Sequence, residues 1–203
     1  VDLIEIKNEL GEKQYWFNAI CWGTNMQQVS PIIGGNKTAE NAWNTFVDIW
    51  IRPYGLPDVL VCDPGGEFEG YFAERVQSYG VTLLPTDARS PWQNGRTERA
   101  GGIWKHRFKI ARRKCPPVDQ DEFEALGKLA CAAGNRYANR SGFSPDQRVF
   151  GCSRRLPASL LSDDAVDPGL LSENPSADFR RSAEMRTAAT RAWAATDSRA
   201  RLQ

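Results

Sequence analysis

The chain has 203 residues, of which 41% are hydrophobic and seven are Trp, so it can form one packed domain with an extension. It contains no apolar run of about 18 residues and no basic-then-apolar start, which argues against a membrane partner and a signal peptide. The sequence starts at Val1 with a strand-like run, so we expect a fragment of a longer polyprotein.

The net charge of +1 hides an uneven distribution of charge along the chain. Residues 1–85 carry 5 basic and 11 acidic side chains, whereas residues 86–114 carry 9 basic and 2 acidic ones. Residues 115–203 carry 12 of each. A basic segment of this kind is where the phosphate backbone of a nucleic acid would approach.

The first half of the chain predicts an alternation of strands and helices. Apolar residues recur at helical spacing between residues 38 and 51, and Pro53 and Gly55 end that helix. Phe68, Phe72 and Val76 form the apolar stripe of a second helix. The predicted strands cover residues 1–7, 14–22, 26–33, 58–63 and 81–85.

The second half predicts a loop and then mainly helices. Residues 86–95 are polar and contain Pro91 and Gly95, which is typical of a loop. Helices are predicted at residues 94–114 and at 119–139, the second with Asp119 and Glu122 as a capping box. We expect a core domain over residues 1–152, a linker over 153–176 and a helical extension over 177–203.

Three carboxylates stand where the predicted elements begin or end. Asp2 opens the first strand, Asp63 ends the strand 58–63, and Glu98 follows Asp63 after 34 intervening residues. Three such side chains can converge on a pair of Mg²⁺ ions, which activate an attacking oxygen and stabilise a leaving oxygen in phosphoryl transfer. The alternatives are a turn residue at Asp63 and a solvated Asp2, with Glu5 as its substitute.

The predicted helix that carries Glu98 has two distinct faces. At about 100° per residue, one side collects the apolar residues Ala100, Ile103, Trp104, Phe108 and Ala111. The opposite side collects Glu98, Lys105, Lys109 and Arg112. A carboxylate beside three cations suits metal ligation next to DNA phosphates, and the alternative is a solvated charged face.

The segments around these residues resemble the catalytic core of retroviral and retrotransposon integrases. The resemblance covers about residues 1–155 and rests on Cys62-Asp63-Pro64-Gly65-Gly66-Glu67-Phe68, Tyr79-Gly80-Val81 and Ser90-Pro91-Trp92-Gln93-Asn94-Gly95-Arg96-Thr97-Glu98-Arg99, with a later match at Asn139-Arg140-Ser141-Gly142-Phe143-Ser144-Pro145 and Val149-Phe150-Gly151. It implies a ribonuclease-H-like α/β fold with a five-stranded mixed sheet flanked by helices.

The resemblance also implies a function, which is DNA integration by metal-dependent 3′-end processing and strand transfer. Asp2, Asp63 and Glu98 would be the catalytic residues and would bind two Mg²⁺ or Mn²⁺ ions. The residues that would contact DNA are Gln93, Asn94, Arg96, Lys105, Lys109 and Arg112. The partners would be the element's DNA ends, target DNA and further copies of the chain, acting inside the cell, in the nucleus on host DNA and otherwise in a particle.

Several features depart from this pattern or allow another function. The spacing from Asp63 to Glu98 is one residue shorter than in retroviral integrases, and Gly101 and Gly102 are unfavourable inside a helix. Five scattered cysteines and a single histidine, His106, predict free thiols and no zinc site in this fragment. The alternatives are a non-catalytic DNA-binding or assembly module from a decayed or domesticated element, and a related nuclease or transposase.

Overall fold

The computed structural model describes residues 1–8, 11–86, 94–137, 142–152 and 177–201, without the side chains of residues 179 and 199–201. Contacts divide the chain into two compact units, Val1–Ile103 and Trp104–Gln203. The predicted linker, residues 153–176, lies outside the described residues. The domain boundaries proposed from the sequence therefore remain predictions.

The first unit begins with an antiparallel sheet of three strands, β1 (Asp2–Lys7), β2 (Lys13–Ile20) and β3 (Gln27–Pro31), in that order. Side chains alternate between the two faces of a strand, so Phe17 and Ala19 enter the main hydrophobic core while Asn18 points to the other face. Asn18 lies directly opposite Asp2 in the β1–β2 register, and these two side chains therefore share a face.

The second sheet pairs β4 (Val59–Cys62) with β5 (Thr82–Pro85) in parallel. A parallel pair needs a crossover, which here contains a 3₁₀ turn (Gly66–Phe68) and helix α3 (Tyr71–Ser78). Cys62 lies beside Pro85 in the register, so the residues that follow, Asp63 and Thr86, emerge at the same end of the sheet.

Helix α1 (Ala39–Phe46) continues through a π-helical segment (Val47–Ile51) into the short α2 (Arg52–Tyr54). The Thr38 side chain caps α1, and the chain leaves α2 at Gly55, whose φ of 84° suits glycine. Phe46 of α1 and Phe72 of α3 pack on Phe17 of β2, with ring centroids 6.0 and 6.5 Å from it. The strands and both helices predicted in this half of the chain are present.

The predicted single sheet of five strands is not confirmed, because the hydrogen-bonded sheets contain three and two strands. Among the described residues, one hydrogen bond links the residue before β1 to β4: the Val1 amino group donates to the Val61 carbonyl oxygen (2.6 Å). One such bond next to the start of β1 does not make a ladder, since a ladder repeats its bonds along both strands.

Helix α4 (Gly95–Lys114) begins in the first unit and continues into the second, which also contains α5 (Gln120–Arg136), α6 (Pro145–Phe150) and α7 (Ala177–Arg201). Trp104, Phe108 and Ala111 are buried as predicted, whereas Ile103 is 44% exposed. Within the second unit Phe108 packs on Phe123 of α5 at 5.0 Å. No helix in the described part of the chain is long and apolar enough to cross a membrane.

Candidate active site

Asp63 lies immediately after β4, where two neutral donors hold one of its carboxylate oxygens. The Asn94 side chain donates from Nδ2 to Asp63 Oδ1 (2.7 Å), and the Thr86 hydroxyl donates to the same oxygen (3.2 Å). The other oxygen, Oδ2, accepts no hydrogen bond from any residue that the structure describes. This arrangement fixes the orientation of the carboxylate and leaves Oδ2 available to a ligand.

Asp2 lies on the sheet face that the first turn of α4 approaches. Its cross-strand neighbour Asn18 is fully buried and donates from Nδ2 to the Thr97 carbonyl oxygen (3.1 Å). The Asn18 Oδ1 atom in turn accepts from the Gln27 side chain (2.8 Å). The buried amide of Asn18 therefore joins β2 to the turn of α4 that carries the third carboxylate.

Glu98 lies in that first turn of α4 and is exposed. Its backbone N–H donates to the Asn94 carbonyl oxygen (3.1 Å), as does the N–H of Thr97 (2.8 Å). A carboxylate near a helix N-terminus is favoured by the partial positive charge of the unpaired N–H groups.

The two other carboxylates contribute to the pKa of Asp2. The pKa of Asp2 is raised from 3.8 to about 6, mainly because the carboxyl group is partly buried. The negative charges of Asp63 and, to a smaller extent, Glu98 raise it further, while a backbone hydrogen bond from Leu3 opposes the rise. A nearby negative charge disfavours the ionised form of a carboxyl group, which is the effect that Asp63 and Glu98 have on Asp2.

The donor set suits a hard divalent cation, because three carboxylates supply the oxygen ligands that Mg²⁺ and Mn²⁺ prefer. The described residues contain no group of three His, Cys, Asp or Glu side chains that is already close enough to hold a metal ion. The chemistry of Asp2, Asp63 and Glu98 therefore fits the ion, whereas a preassembled cluster of ligands is not present.

Asn94 was predicted to contact DNA, but its side chain is only 1% exposed. In this structure it contacts Asp63 and, at 3.4 Å, the Val1 carbonyl oxygen instead. The side chain therefore faces the protein interior in this structure, and its contact with DNA stays a prediction.

The other predicted DNA contacts differ in their surroundings. Arg96 is exposed and donates from Nη1 to the Trp22 carbonyl oxygen (2.6 Å). Lys105 and Lys109 are exposed on α4, as the charged-face pattern predicts. Arg112 is half-buried, with its guanidinium 4.7 Å from the ring centroid of Phe123, so part of its role is packing. Gln93 lies outside the described residues.

Gly101 and Gly102, which looked unfavourable in the sequence, have different surroundings. A Cβ atom on Gly101 would lie 2.9 Å from Ile4 Cδ1 and 3.1 Å from Asn18 Nδ2, so α4 approaches the sheet closely at this point. A Cβ atom on Gly102 would meet nothing within 4 Å. The missing side chain at Gly101 therefore allows α4 to pack closely against the sheet.

Sequence analysis missed two residues of the site, Thr86 and Asn18. The pairing of two parallel strands gave a signal for Thr86, because residues that follow neighbouring parallel strands emerge side by side. Asn18 carried a weaker signal, since it is the one amide in the otherwise apolar run of residues 15–20. A polar residue in a buried strand needs a partner, although the sequence does not say which one.

The fold and the site together define a class of structure, a mixed α/β fold in which acidic residues stand at the ends of strands and at the start of a helix. The structure is similar to the HTLV-2 integrase catalytic core domain in complex with magnesium in its trimeric form, with a TM-score of 0.60 and 20% identity over 73% of this chain and 92% of that one. The catalytic core domain of BIV integrase gives a TM-score of 0.57 and 20% identity over 74% and 92%.

A third similar structure is a simian T-cell lymphotropic virus intasome in complex with PP2A regulatory subunit B56 gamma, with a TM-score of 0.65 and 16% identity over 80% of this chain and 56% of that one. No protein-family model matches the sequence, and no curated protein matches it. The chain thus has the fold of retroviral integrase catalytic cores, which confirms the resemblance, while the single five-stranded sheet that it implied is not confirmed.

Proposed function

We propose that this chain is the catalytic core of a DNA-integrating polynucleotidyl transferase that performs 3′-end processing and strand transfer. The observation that carries the proposal is the electrostatic coupling of Asp2 to Asp63 and Glu98 in an integrase-type fold. The three side chains come from β1, the end of β4 and the start of α4, and short-range contacts join these elements.

In this proposal Asp2, Asp63 and Glu98 hold two Mg²⁺ or Mn²⁺ ions. Bound divalent ions would supply activation of the attacking oxygen and neutralisation of the leaving oxygen. Asn94 and Thr86 keep Asp63 oriented, and Asn18 keeps the first turn of α4 beside Asp2. Lys105 and Lys109, exposed on the helix that begins with Glu98, would bind the DNA backbone.

The partners in this proposal are the element's DNA ends, target DNA and further copies of the chain. Support comes from the relatives, since HTLV-2 integrase cores have trimeric and dimeric forms and the simian virus structure is an intasome. Acting on host DNA would place the protein in the nucleus. We also propose that β1 and β4 are neighbours in one five-stranded sheet, which the Val1–Val61 hydrogen bond supports.

The proposal is tested by disintegration, the reversal of strand joining, on a branched DNA substrate with Mg²⁺ or Mn²⁺. Loss of a group that merely orients a metal ligand costs about 10–100-fold, so loss of a ligand in Glu98→Gln should cost more than about 100-fold. The matched control is Glu74→Gln, which changes another exposed glutamate in the first turn of a helix. Equal activity of the Glu98 variant and the control would refute the proposal.

A non-catalytic DNA-binding module is the second candidate, favoured by the absence of a preassembled ligand cluster among the described residues. In that case Lys105→Ala would weaken DNA binding and would reduce the slope of the logarithm of the binding constant against the logarithm of the salt concentration by about 1. Glu98→Gln would leave DNA binding unchanged. Cleavage of RNA–DNA hybrids in preference to branched DNA would instead indicate a ribonuclease H.

A further inference from the structure

Asn94 is a buried residue that contacts the chain next to Asp2, the Asp63 side chain and the backbone of Glu98. Its Nδ2 atom donates to Asp63 Oδ1 at 2.7 Å and lies 3.4 Å from the carbonyl oxygen of Val1, the residue before Asp2. The backbone carbonyl oxygen of Asn94 accepts hydrogen bonds from the backbone N–H groups of Thr97 and Glu98. A movement of Asn94 would therefore displace groups adjoining each of the three carboxylates.

The orientation of the Asn94 carboxamide follows from charge. The reversed amide would set its oxygen against the Asp63 carboxylate at hydrogen-bonding distance, where both groups are acceptors and repel each other. With the donor facing Asp63, Asn94 Oδ1 is buried and has no partner among the described residues. A buried acceptor without a partner is unfavourable, and the hydrogen bond from Asn94 to an ionised carboxylate offsets that cost.

The donors on Asp63 are an amide and a hydroxyl, and neither carries a charge. A lysine or arginine at the same place would neutralise the carboxylate and would compete with a divalent cation for it. Neutral donors restrict the carboxylate to one orientation and keep its negative charge for the ion. This is the outer-shell arrangement that raises metal affinity.

We propose that Asn94 is a positioning residue, whose side chain orients Asp63 for metal binding while its backbone carbonyl fixes the helix turn that carries Glu98. The inference rests on the proposed function, because it requires that Asp63 binds a metal ion. Thr86 is the second and weaker donor to the same oxygen, at 3.2 Å.

The test measures the affinity of the purified chain for Mn²⁺ by electron paramagnetic resonance. Asn94→Leu keeps the approximate shape of the side chain and removes the donor, so we expect about tenfold weaker binding. Thr86→Val should weaken binding about two- to threefold, because the hydrogen bond from Thr86 is longer than that from Asn94 and orients Asp63 less strongly. Each variant is also checked for folding by circular dichroism and by urea unfolding.

The matched control is Thr45→Val, which removes a hydroxyl that is fully buried in the same unit. The Thr45 hydroxyl donates to the Asn41 carbonyl oxygen (2.7 Å) and accepts from the Ile33 N–H (2.9 Å) without contacting Asp63. Its Mn²⁺ affinity should stay within about twofold of the native value. An equal loss in this control would show a general effect of destabilisation and would overturn the positioning role.

A second readout needs no substitution. In the native chain the side-chain NH₂ resonances of Asn94 should shift as Mg²⁺ is added, with the same dissociation constant as the backbone amide of Asp63. An Asn94→Leu chain that folds and binds Mn²⁺ as tightly as the native chain overturns the inference alone. A native chain that binds neither ion overturns the metal-binding role of Asp63, and with it both the inference and the proposed function.

Discussion

The first turns of α4 and α5 are held in place in different ways. At α5 the Asp119 side chain accepts the N–H of Glu122 (2.7 Å), and the Glu122 carboxylate accepts the N–H of Val118 (2.9 Å). At α4 the Asn94 side chain contacts Asp63, and Thr97 accepts from Asn18, a residue 79 positions earlier in the sequence. One helix start is thus capped locally, while the other is tied to distant strands.

The two regions also differ in the charge of the groups that make their long-range contacts. Arg181 of α7 pairs with Glu122 at 2.7 Å, and both side chains are partly exposed. The contacts at α4 use the buried neutral amides of Asn18 and Asn94. At α5 no candidate metal ligand is among the described contacts of the ion pair, so a charged pair can hold the helix without affecting a binding site. At α4 neutral donors hold the helix beside carboxylates and leave the negative charge of those carboxylates intact.

The largest expected effect comes from disturbing the close approach of α4 to the sheet. Gly101→Val would place atoms against Ile4 and the Asn18 amide that binds Thr97, and should lower the free energy of unfolding by about 1–3 kcal/mol. Gly102→Ala faces open space and should raise it by about 0.5–1 kcal/mol, since alanine favours a helix. Urea unfolding measures both, and changes of the same sign would contradict the close contact.

The next effect concerns Asp2 in the metal-free chain. The pKa of Asp2 is raised from its ordinary value of 3.8, which applies to the unfolded chain, to about 6 in the folded chain. At pH values between these two, the folded state therefore binds more protons than the unfolded state. Stability should therefore fall as the pH rises from about 4 to about 6. Asp2→Asn removes this slope and should stabilise the chain at pH 7 by about 1–2 kcal/mol, after allowance for solvent screening.

Thermal or urea unfolding of both chains across this pH range measures the difference between native and variant. A difference that is constant with pH would show that folding does not raise the pKa of Asp2. Added Mg²⁺ should reverse the sign at pH 7, because the native carboxylate then gains a cation that the amide of the variant binds poorly.

The smallest effect should come from the local cap of α5. Asp119→Ala removes the acceptor of the Glu122 N–H and should cost about 1 kcal/mol of stability. Because this cap contacts no candidate ligand, Mn²⁺ affinity should stay unchanged, in contrast to Asn94→Leu. A variant of Asp119 that loses metal affinity would remove the distinction between the two helix starts.

Much of the fold followed from the sequence because its signals are local. The apolar stripe of α3, the capping residue Asp119 and the carboxylates at the ends of elements depend on neighbours within a few positions. The helix bounds predicted for α4 agree with the structure to within one residue, Gly95–Lys114 against 94–114. The predicted helix 119–139 is observed as Gln120–Arg136, ended by the extended backbone of Tyr137.

The candidate site was only partly predictable, and Asn94 shows why. An asparagine before a glycine and a helix is typical of a turn, of a cap or of a residue at a binding surface, and these alternatives look alike in the sequence. The tertiary structure shows the contact that the sequence did not predict, since the side chain is 1% exposed and donates to Asp63. Thr86 became a partner of Asp63 only when β4 and β5 paired in parallel.

The sequence by itself determined the order of strands and helices, the basic charge around Glu98 and the three acidic positions, because periodicity, turn residues and charge act over short stretches of chain. Only the tertiary structure decided that Asn94 holds Asp63, that Gly101 lies against Ile4, and that Asn18 joins β2 to the first turn of α4. Contacts between residues 31 or 79 positions apart exist only after the chain has closed around its core.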